Sequence, residues 1–125
     1  MVEKVKIFVF GSNLAGRHGA GSAREALLKH GAIYGRGLGL QGRSYAIPTK
    51  GHNLEILPLD LIDKYVDMFV HYAAGMLTWD FNVVEIGCGL AGYKPEQIAP
   101  MFKYKTSNVI LSPRFEEVLA TATAK

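Results

Sequence analysis

Phe10-Gly-Ser-Asn-Leu-Ala-Gly-Arg-His-Gly-Ala-Gly-Ser-Ala-Arg-Glu25 is the stretch on which the reading of this chain turns. It leaves directly from Val5-Lys-Ile-Phe-Val-Phe10, a short apolar run whose β-branched and aromatic residues read as a buried strand. It runs on into Ser22-Ala-Arg-Glu25, a capping-box pattern that predicts a helix start, with Ser22 and Glu25 satisfying each other's backbone N–H groups. Between strand and helix lie Gly11, Gly16, Gly19 and Gly21. Glycines there let the backbone turn tightly and approach a ligand without Cβ atoms in the way. Open N–H groups at a helix start, together with the positive end of the dipole, favour an anion such as phosphate or pyrophosphate. A plain strand-to-helix connection is the competing reading, although it needs one glycine rather than four.

Downstream, Ala26, Leu27 and Leu28 describe a short helix, with Lys29 and His30 suiting its negative end and Gly31 as C-cap. Tyr34-Gly-Arg-Gly-Leu-Gly-Leu-Gln-Gly42 is too glycine-rich for a stable helix or strand. Its Gly37, Gly39 and Gly42 form a literal G-x-G-x-x-G, but a dinucleotide fingerprint must follow a strand and open a helix. It therefore reads as an exposed loop, with a mobile flap over a ligand as the alternative. Ser44-Tyr-Ala-Ile47 is a second strand stopped by Pro48, which leaves Thr49 and Lys50 just beyond its end.

Gly51-His-Asn53 is turn material, and Leu57-Pro58 announces a helix. Leu59, Ile62, Val66, Phe69, Val70 and Ala73 recur at helical spacing over about 18 residues. Asp60, Asp63, Lys64 and Asp67 form its solvated face, and Tyr65, Tyr72 and Trp79 read as packing residues rather than a cofactor box. Asn82-Val-Val-Glu-Ile86 is a third strand and Gly87-Cys-Gly-Leu-Ala-Gly-Tyr93 a second glycine loop. Pro95 suits the first position of the next helix. Ser107-Asn-Val-Ile-Leu111 is a fourth strand, and Ser112-Pro113 caps a final helix through Leu119, followed by a frayed tail from Ala120 to Lys125.

This β-α-β-α-β-α-β-α order predicts an α/β fold, a three-layer α/β/α sandwich around a mainly parallel sheet, as one domain over 1–125. In such sheets ligands bind beyond the carboxyl ends of the strands, where the strand order reverses. Strands one and three are therefore expected to be neighbours, with their glycine loops as the two walls of one cleft and Lys50 at the same end.

Composition narrows the class. At 49% hydrophobic and 20% charged, the chain of 125 residues has the balance of a folded protein rather than a disordered one. The one cysteine, Cys88, excludes an internal disulfide framework and a cysteine-rich zinc site. No apolar run approaches the roughly 20 residues that span a bilayer, and residues 1–10 do not make a secretory signal. The simplest expectation is a cytoplasmic protein with no membrane partner. Net charge is only +3, yet Arg17, Arg24, Lys29, Arg36, Arg43 and Lys50 fall in an interval whose sole acid is Glu25. That asymmetry suits a polyanion, either a small phosphorylated ligand or nucleic acid, and a solvated basic surface explains it equally well. Tyr34 and Tyr45 are too few aromatics for a convincing base-stacking surface on nucleic acid.

Together these motifs resemble the macro domain, the ADP-ribose-binding family. Gly11-Ser-Asn13 and His18-Gly-Ala-Gly21 match the family's first loop, and Gly87 through Tyr93 its second. Gly19-Ala-Gly21, Ile47-Pro-Thr-Lys50 and Ile86-Gly-Cys-Gly-Leu90 are most similar to the branch that contains terminal ADP-ribose protein glycohydrolase. Short phage-encoded macro-like proteins look similar too, so a phage or bacterial source is in keeping. The resemblance implies that Gly11, Ser12, Asn13, His18, Gly19, Ala20 and Gly21 hold the distal ribose and a phosphate. Gly87, Cys88, Gly89, Leu90, Ala91, Gly92 and Tyr93 would wrap the pyrophosphate, with the Tyr93 ring on the sugar or phosphates. The partner implied is ADP-ribose, a derivative of it, or an ADP-ribosylated macromolecule, with no metal and no cofactor.

The branch's hydrolases use a lysine nucleophile, and Lys50 takes its place in the motif. An amine needs a lowered pKa for that task, and a lysine that simply pairs with a phosphate fits the same position. The acidic partner should follow Gly-Cys-Gly-Leu, where this chain has Ala91. Losing a general acid/base costs on the order of 10²–10⁴ in rate, and Glu85, read as lying on the strand, is the available substitute. Many macro domains also read the adenine amino group with an early aspartate, whereas Glu3 is the sole early acid here. Cys88 is open to reading as a nucleophile or as a small buried residue between two glycines. His18 is open to reading as a general acid/base, a phosphate contact or a surface loop histidine.

Overall fold

The computed structural model describes residues 4–123. Glu3 and the last two residues of the tail lie outside them. In chain order the elements are β1 (Val5–Asn13), α1 (Gly21–Lys29), β2 (Gly39–Gln41), β3 (Ser44–Lys50), α2 (Leu59–Ala74), β4 (Trp79–Val83), α3 (Pro95–Ile98), β5 (Val109–Leu111) and α4 (Pro113–Thr123). A 3₁₀ turn, Ala99–Phe102, continues α3. The sheet runs β2-β3-β1-β4-β5, all parallel except β2, which lies antiparallel to β3. From β1 the chain goes to β3 on one side and later to β4 on the other, so the strand order reverses between β1 and β4. The expected neighbours are thus paired, from Val5 opposite Trp79 to Val9 opposite Val83.

Alternation along the strands divides the core into two layers. Ile7, Val9, Tyr45, Ile47, Phe81, Val83, Val109 and Leu111 point to one face, where they meet Ile62, Val66, Phe69 and Val70 of α2, Ile98 of α3 and Phe115 of α4. Phe10 and Ala46 point to the other, against Ala23 and Ala26 of α1 and Ala32. The result is a three-layer α/β/α sandwich with a mainly parallel sheet. Tyr72 and Trp79 pack on Phe81, while Asp60, Asp63, Lys64 and Asp67 are exposed.

Several boundaries differ from the sequence reading, each because a neighbour overrides a local signal. β1 does not end at Phe10 but continues through Gly11, Ser12 and Asn13, paired with β3 as far as Lys50. Pro48 does not stop β3. The register with β1 shifts between Ser12 and Asn13, opposite the proline, the kind of irregularity at which a strand accepts a residue without an N–H. The segment read as a featureless loop contains β2, held by the Gln41 amide. Its Oε1 accepts from Ile33 N at 2.8 Å and its Nε2 donates to Arg36 O at 3.0 Å.

The third strand lies earlier, at Trp79–Val83, and Glu85 sits in the turn after it, where Ile86 N bonds Val84 O at 2.7 Å. Asn108, unremarked in the sequence, donates from Nδ2 to the carbonyls of Ala73, Met76 and Trp79, tying the end of α2 to the start of β4. The capping box at Ser22 and Glu25 does not form. α1 starts two residues earlier, behind Ala20, and Glu25 instead pairs with His30 at 3.6 Å. Ser112 does cap α4, accepting from Phe115 N. That helix continues to Thr123 rather than fraying after Leu119.

Candidate functional site

At the carboxyl ends of β1, β3 and β4 lies a cleft of about 600 Å³, within the range of small-ligand sites. Gly11, Ser12 and Asn13 of β1 line it with Thr49 and Lys50 of β3. The stretch from Gly19 to Ala23 forms one wall, and Glu85, Ile86, Gly87, Gly89, Leu90 and Ala91 form the facing wall. Gly19–Gly21 and Gly87–Gly89 therefore share one side of the molecule. Of the residues singled out from the sequence, Gly11, Ser12, Asn13, Gly19, Ala20, Gly21, Lys50, Gly87, Gly89, Leu90 and Ala91 come together here. His18, Cys88, Gly92 and Tyr93 do not line it.

The first wall is built by backbone contacts. Asn13 closes its loop with both ends of its amide, accepting from Arg17 N at 2.9 Å and donating to Arg17 O at 3.0 Å. Its side chain thus shapes the loop. Ser12 Oγ donates to Gly37 O, and Gly35 N donates to Gly16 O at 2.8 Å, so the segment from Tyr34 to Gly37 is fastened to the first loop rather than free as a flap. A Cβ on Gly37 would come within 2.0 Å of Asn13 O, and one on Gly16 within 2.2 Å of Gly35 C. Only glycine allows the two segments this close.

His18 is a fully buried residue, not a surface one. Its Nε2 lies 2.9 Å from Arg36 O and 3.3 Å from Gln41 Oε1. Both are acceptors, so Nε2 carries the proton. Its Nδ1 is buried without a partner among the described residues, and the ring packs edge-on against Phe10 and Tyr34.

Helix α1 opens onto the cleft with no side-chain cap and no acid in its first turn. Arg24 N to Ala20 O begins the helical ladder, leaving the N–H groups of Gly21, Ser22 and Ala23 without side-chain acceptors among the described residues. Such a terminus favours an anion by about 0.3–1 kcal/mol when exposed. Arg17 and Lys50 add positive charge, and neither forms an ion pair among the described residues. Leu14 N donates to Lys50 O at 2.9 Å, which fixes the lysine backbone beside the first loop. Glu85, expected on a strand, lies past the end of β4, where it lines both the cleft and a neighbouring pocket beside Val83, Val84 and Leu111.

In the second loop, Gly92 N bonds Gly89 O and Tyr93 N bonds Gly87 O. The Tyr93 hydroxyl donates to Leu57 O at 2.6 Å, tethering the loop's end to the start of α2 and drawing the ring out of the cleft. Cys88 packs against the main core. Burial, followed by the Glu85 carboxylate, pushes its thiol up to about 11, with Arg114 opposing. A thiol so placed is protonated at neutral pH and is a poor nucleophile. Gly19 and Gly89 differ from the other loop glycines: neither has a left-handed φ, and among the described residues a Cβ on either would meet nothing within 4 Å beyond its chain neighbours.

Sequence reasoning missed Arg17, Tyr34, Thr49 and Leu54 as lining residues. Arg17 and Tyr34 were legible only as members of a basic interval, Thr49 as the neighbour of Lys50, and Leu54 carried no signal. Among the described residues no group of three or more His, Cys, Asp and Glu is placed to hold a metal ion, and no helix is long and apolar enough to cross a membrane.

No protein-family model and no curated protein sequence matches the chain. Two solved structures do. One is a macrodomain protein from Streptomyces coelicolor, with a TM-score of 0.57 at 13% identity, covering 89% of this chain and 88% of that one. The other is a protein of unknown function from Bacteroides thetaiotaomicron, with a TM-score of 0.55 at 15% identity, covering 89% of this chain and 87% of that one. At such identities the likeness speaks for the fold alone. The chain has a macrodomain-like α/β/α fold.

Proposed function

We propose that this chain is a single macro-type module that binds ADP-ribose or an ADP-ribose-derived nucleotide, its diphosphate lying between the two glycine loops. The observation that carries the reading is the empty space at Gly19 and Gly89. The fold does not require a missing side chain at either position, and both face the cleft where the open start of α1, Arg17 and Lys50 favour negative charge. Calorimetry with ADP-ribose, ADP and conjugated ADP-ribose derivatives tests it. Binding in the micromolar range is expected, and no heat at millimolar ligand would overturn the assignment.

Glu85 favours a second reading, de-ADP-ribosylation with Lys50 as nucleophile. It is the acid that lines the same cleft as the lysine, where Ala91 offers none. If Lys50→Ala and Glu85→Gln leave turnover of an ADP-ribosylated substrate unchanged, that reading is wrong and the module only binds.

A further inference from the structure

We propose that two copies of this chain associate about a twofold axis parallel to the strands, with α1 of each seated on the bare half of the other's sheet. Mainly parallel sheets ordinarily have both faces covered. Here α2, α3 and α4 pack on one face. The other carries α1, seated over β1 and β3 through Ala23 and Ala26 against Phe10 and Ala46. Beside that helix, Phe8, Asn82 and Ile110 form a row in register across β1, β4 and β5. With Val84 and Glu85 they line a groove of about 350 Å³. Ile110 is 44% exposed within it, so the β4–β5 half of this face lies open.

What covers the groove is argued from α1 itself. Arg24 and Leu28 lie one turn apart on the side of the helix away from Ala23 and Ala26, and Leu28 is 64% exposed. A twofold axis parallel to the strands reverses the order across the sheet but keeps each residue's height along it. α1 of one copy then occupies the layer above β4 and β5 of the other, beside that copy's own α1. An axis running across the strands would instead drive one α1 into the other. The heights agree. The His30 ring stacks on Phe8 with centroids 4.3 Å apart, so the end of α1 is level with the Phe8–Asn82–Ile110 row, and Leu28 falls between that row and Val84. Arg24 stands about 6 Å nearer the cleft end, level with Glu85. Both are exposed, and neither forms an ion pair among the described residues. Leu28 of one copy thus enters the apolar groove of the other while Arg24 meets its Glu85, and the symmetry makes each contact twice. At the opposite end Lys29 comes near Lys6 and Asp80, and Asp80 already pairs with Lys4 at 3.0 Å, so charge favours the contact at the Glu85 end alone. Because Glu85 also lines the cleft, the second copy's arginine stands at the cleft's edge.

Sedimentation velocity over a concentration series tests the arrangement, with Leu28→Asp, Ile110→Lys and Arg24→Glu run beside the parent. The parent is expected to dimerise, Leu28→Asp and Ile110→Lys to stay monomeric, and Arg24→Glu to dimerise about tenfold more weakly. All three side chains are exposed in the single copy, and an acid near the start of α1 favours the helix, so the variants are expected to melt close to the parent. Arg24→Glu combined with Glu85→Arg is expected to recover the parent's affinity. A parent that remains monomeric up to about 1 mM, a dimer indifferent to Leu28→Asp and Ile110→Lys, or a charge swap that recovers nothing would each overturn the proposal.

Discussion

At Gly19 and Gly89 the chain omits a side chain where nothing in the fold opposes one. Gly→Ala at such positions normally stabilises by about 0.4–1 kcal/mol, because the unfolded chain loses freedom. We therefore expect Gly19→Ala and Gly89→Ala to hold or raise stability in urea denaturation while weakening ADP-ribose about tenfold, or 1.4 kcal/mol. Unaltered affinity would mean that the space is not ligand room. Cys88 carries a separate expectation. Its thiol titrates near 11, above the ordinary value of about 8.5, so the fold favours the protonated form. That contribution is complete below the unfolded thiol's pKa and is lost as pH rises through the folded value. Alkylation by iodoacetamide should accordingly stay slow at pH 8 and climb toward pH 11, and fast modification at neutral pH would contradict the burial argument. His18 and Asn13 show what residue types alone conceal: both were legible as loop residues of note, yet the Asn13 amide and His18 Nε2 are turned onto backbone groups of neighbouring loop residues.

Among the elements, α1 separates stability from binding most cleanly. Its N-cap position, Ala20, makes no side-chain bond, and Ala→Asp at a cap is normally worth about 0.5–2 kcal/mol. Ala20→Asp should therefore stabilise the protein and, by placing a carboxylate at the same amides, weaken pyrophosphate binding at least tenfold. Tighter binding in that variant would show that α1 does not hold the anion. The same helix shows how far local rules reach. Ser22 and Glu25 have capping-box spacing, but Gly21 begins the helix two residues too soon for them to use it. Pro48 looked like a strand end and proved to lie opposite a register shift. The amphipathic stripe of α2 was readable because one face meets the sheet throughout. β2 was not, since it exists only through pairing with Tyr45 and its neighbours and the reach of Gln41.

For the molecule as a whole, the alternation of strand and helix was enough to place β1 beside β4 and so to set the glycine loops face to face. What the sequence withheld was the third participant, the Tyr34–Gly37 segment, which reaches the cleft only because its glycines let it lie directly on Asn13 and Gly16. That joint has a kinetic consequence. With two neighbouring segments locked backbone to backbone, there is no hinge between them to swing and no lid to wait for. Stopped-flow traces with ADP-ribose should be single exponentials whose rate climbs linearly with ligand concentration. A plateau at high concentration would reveal a slow isomerisation, and with it a joint that opens before anything can enter.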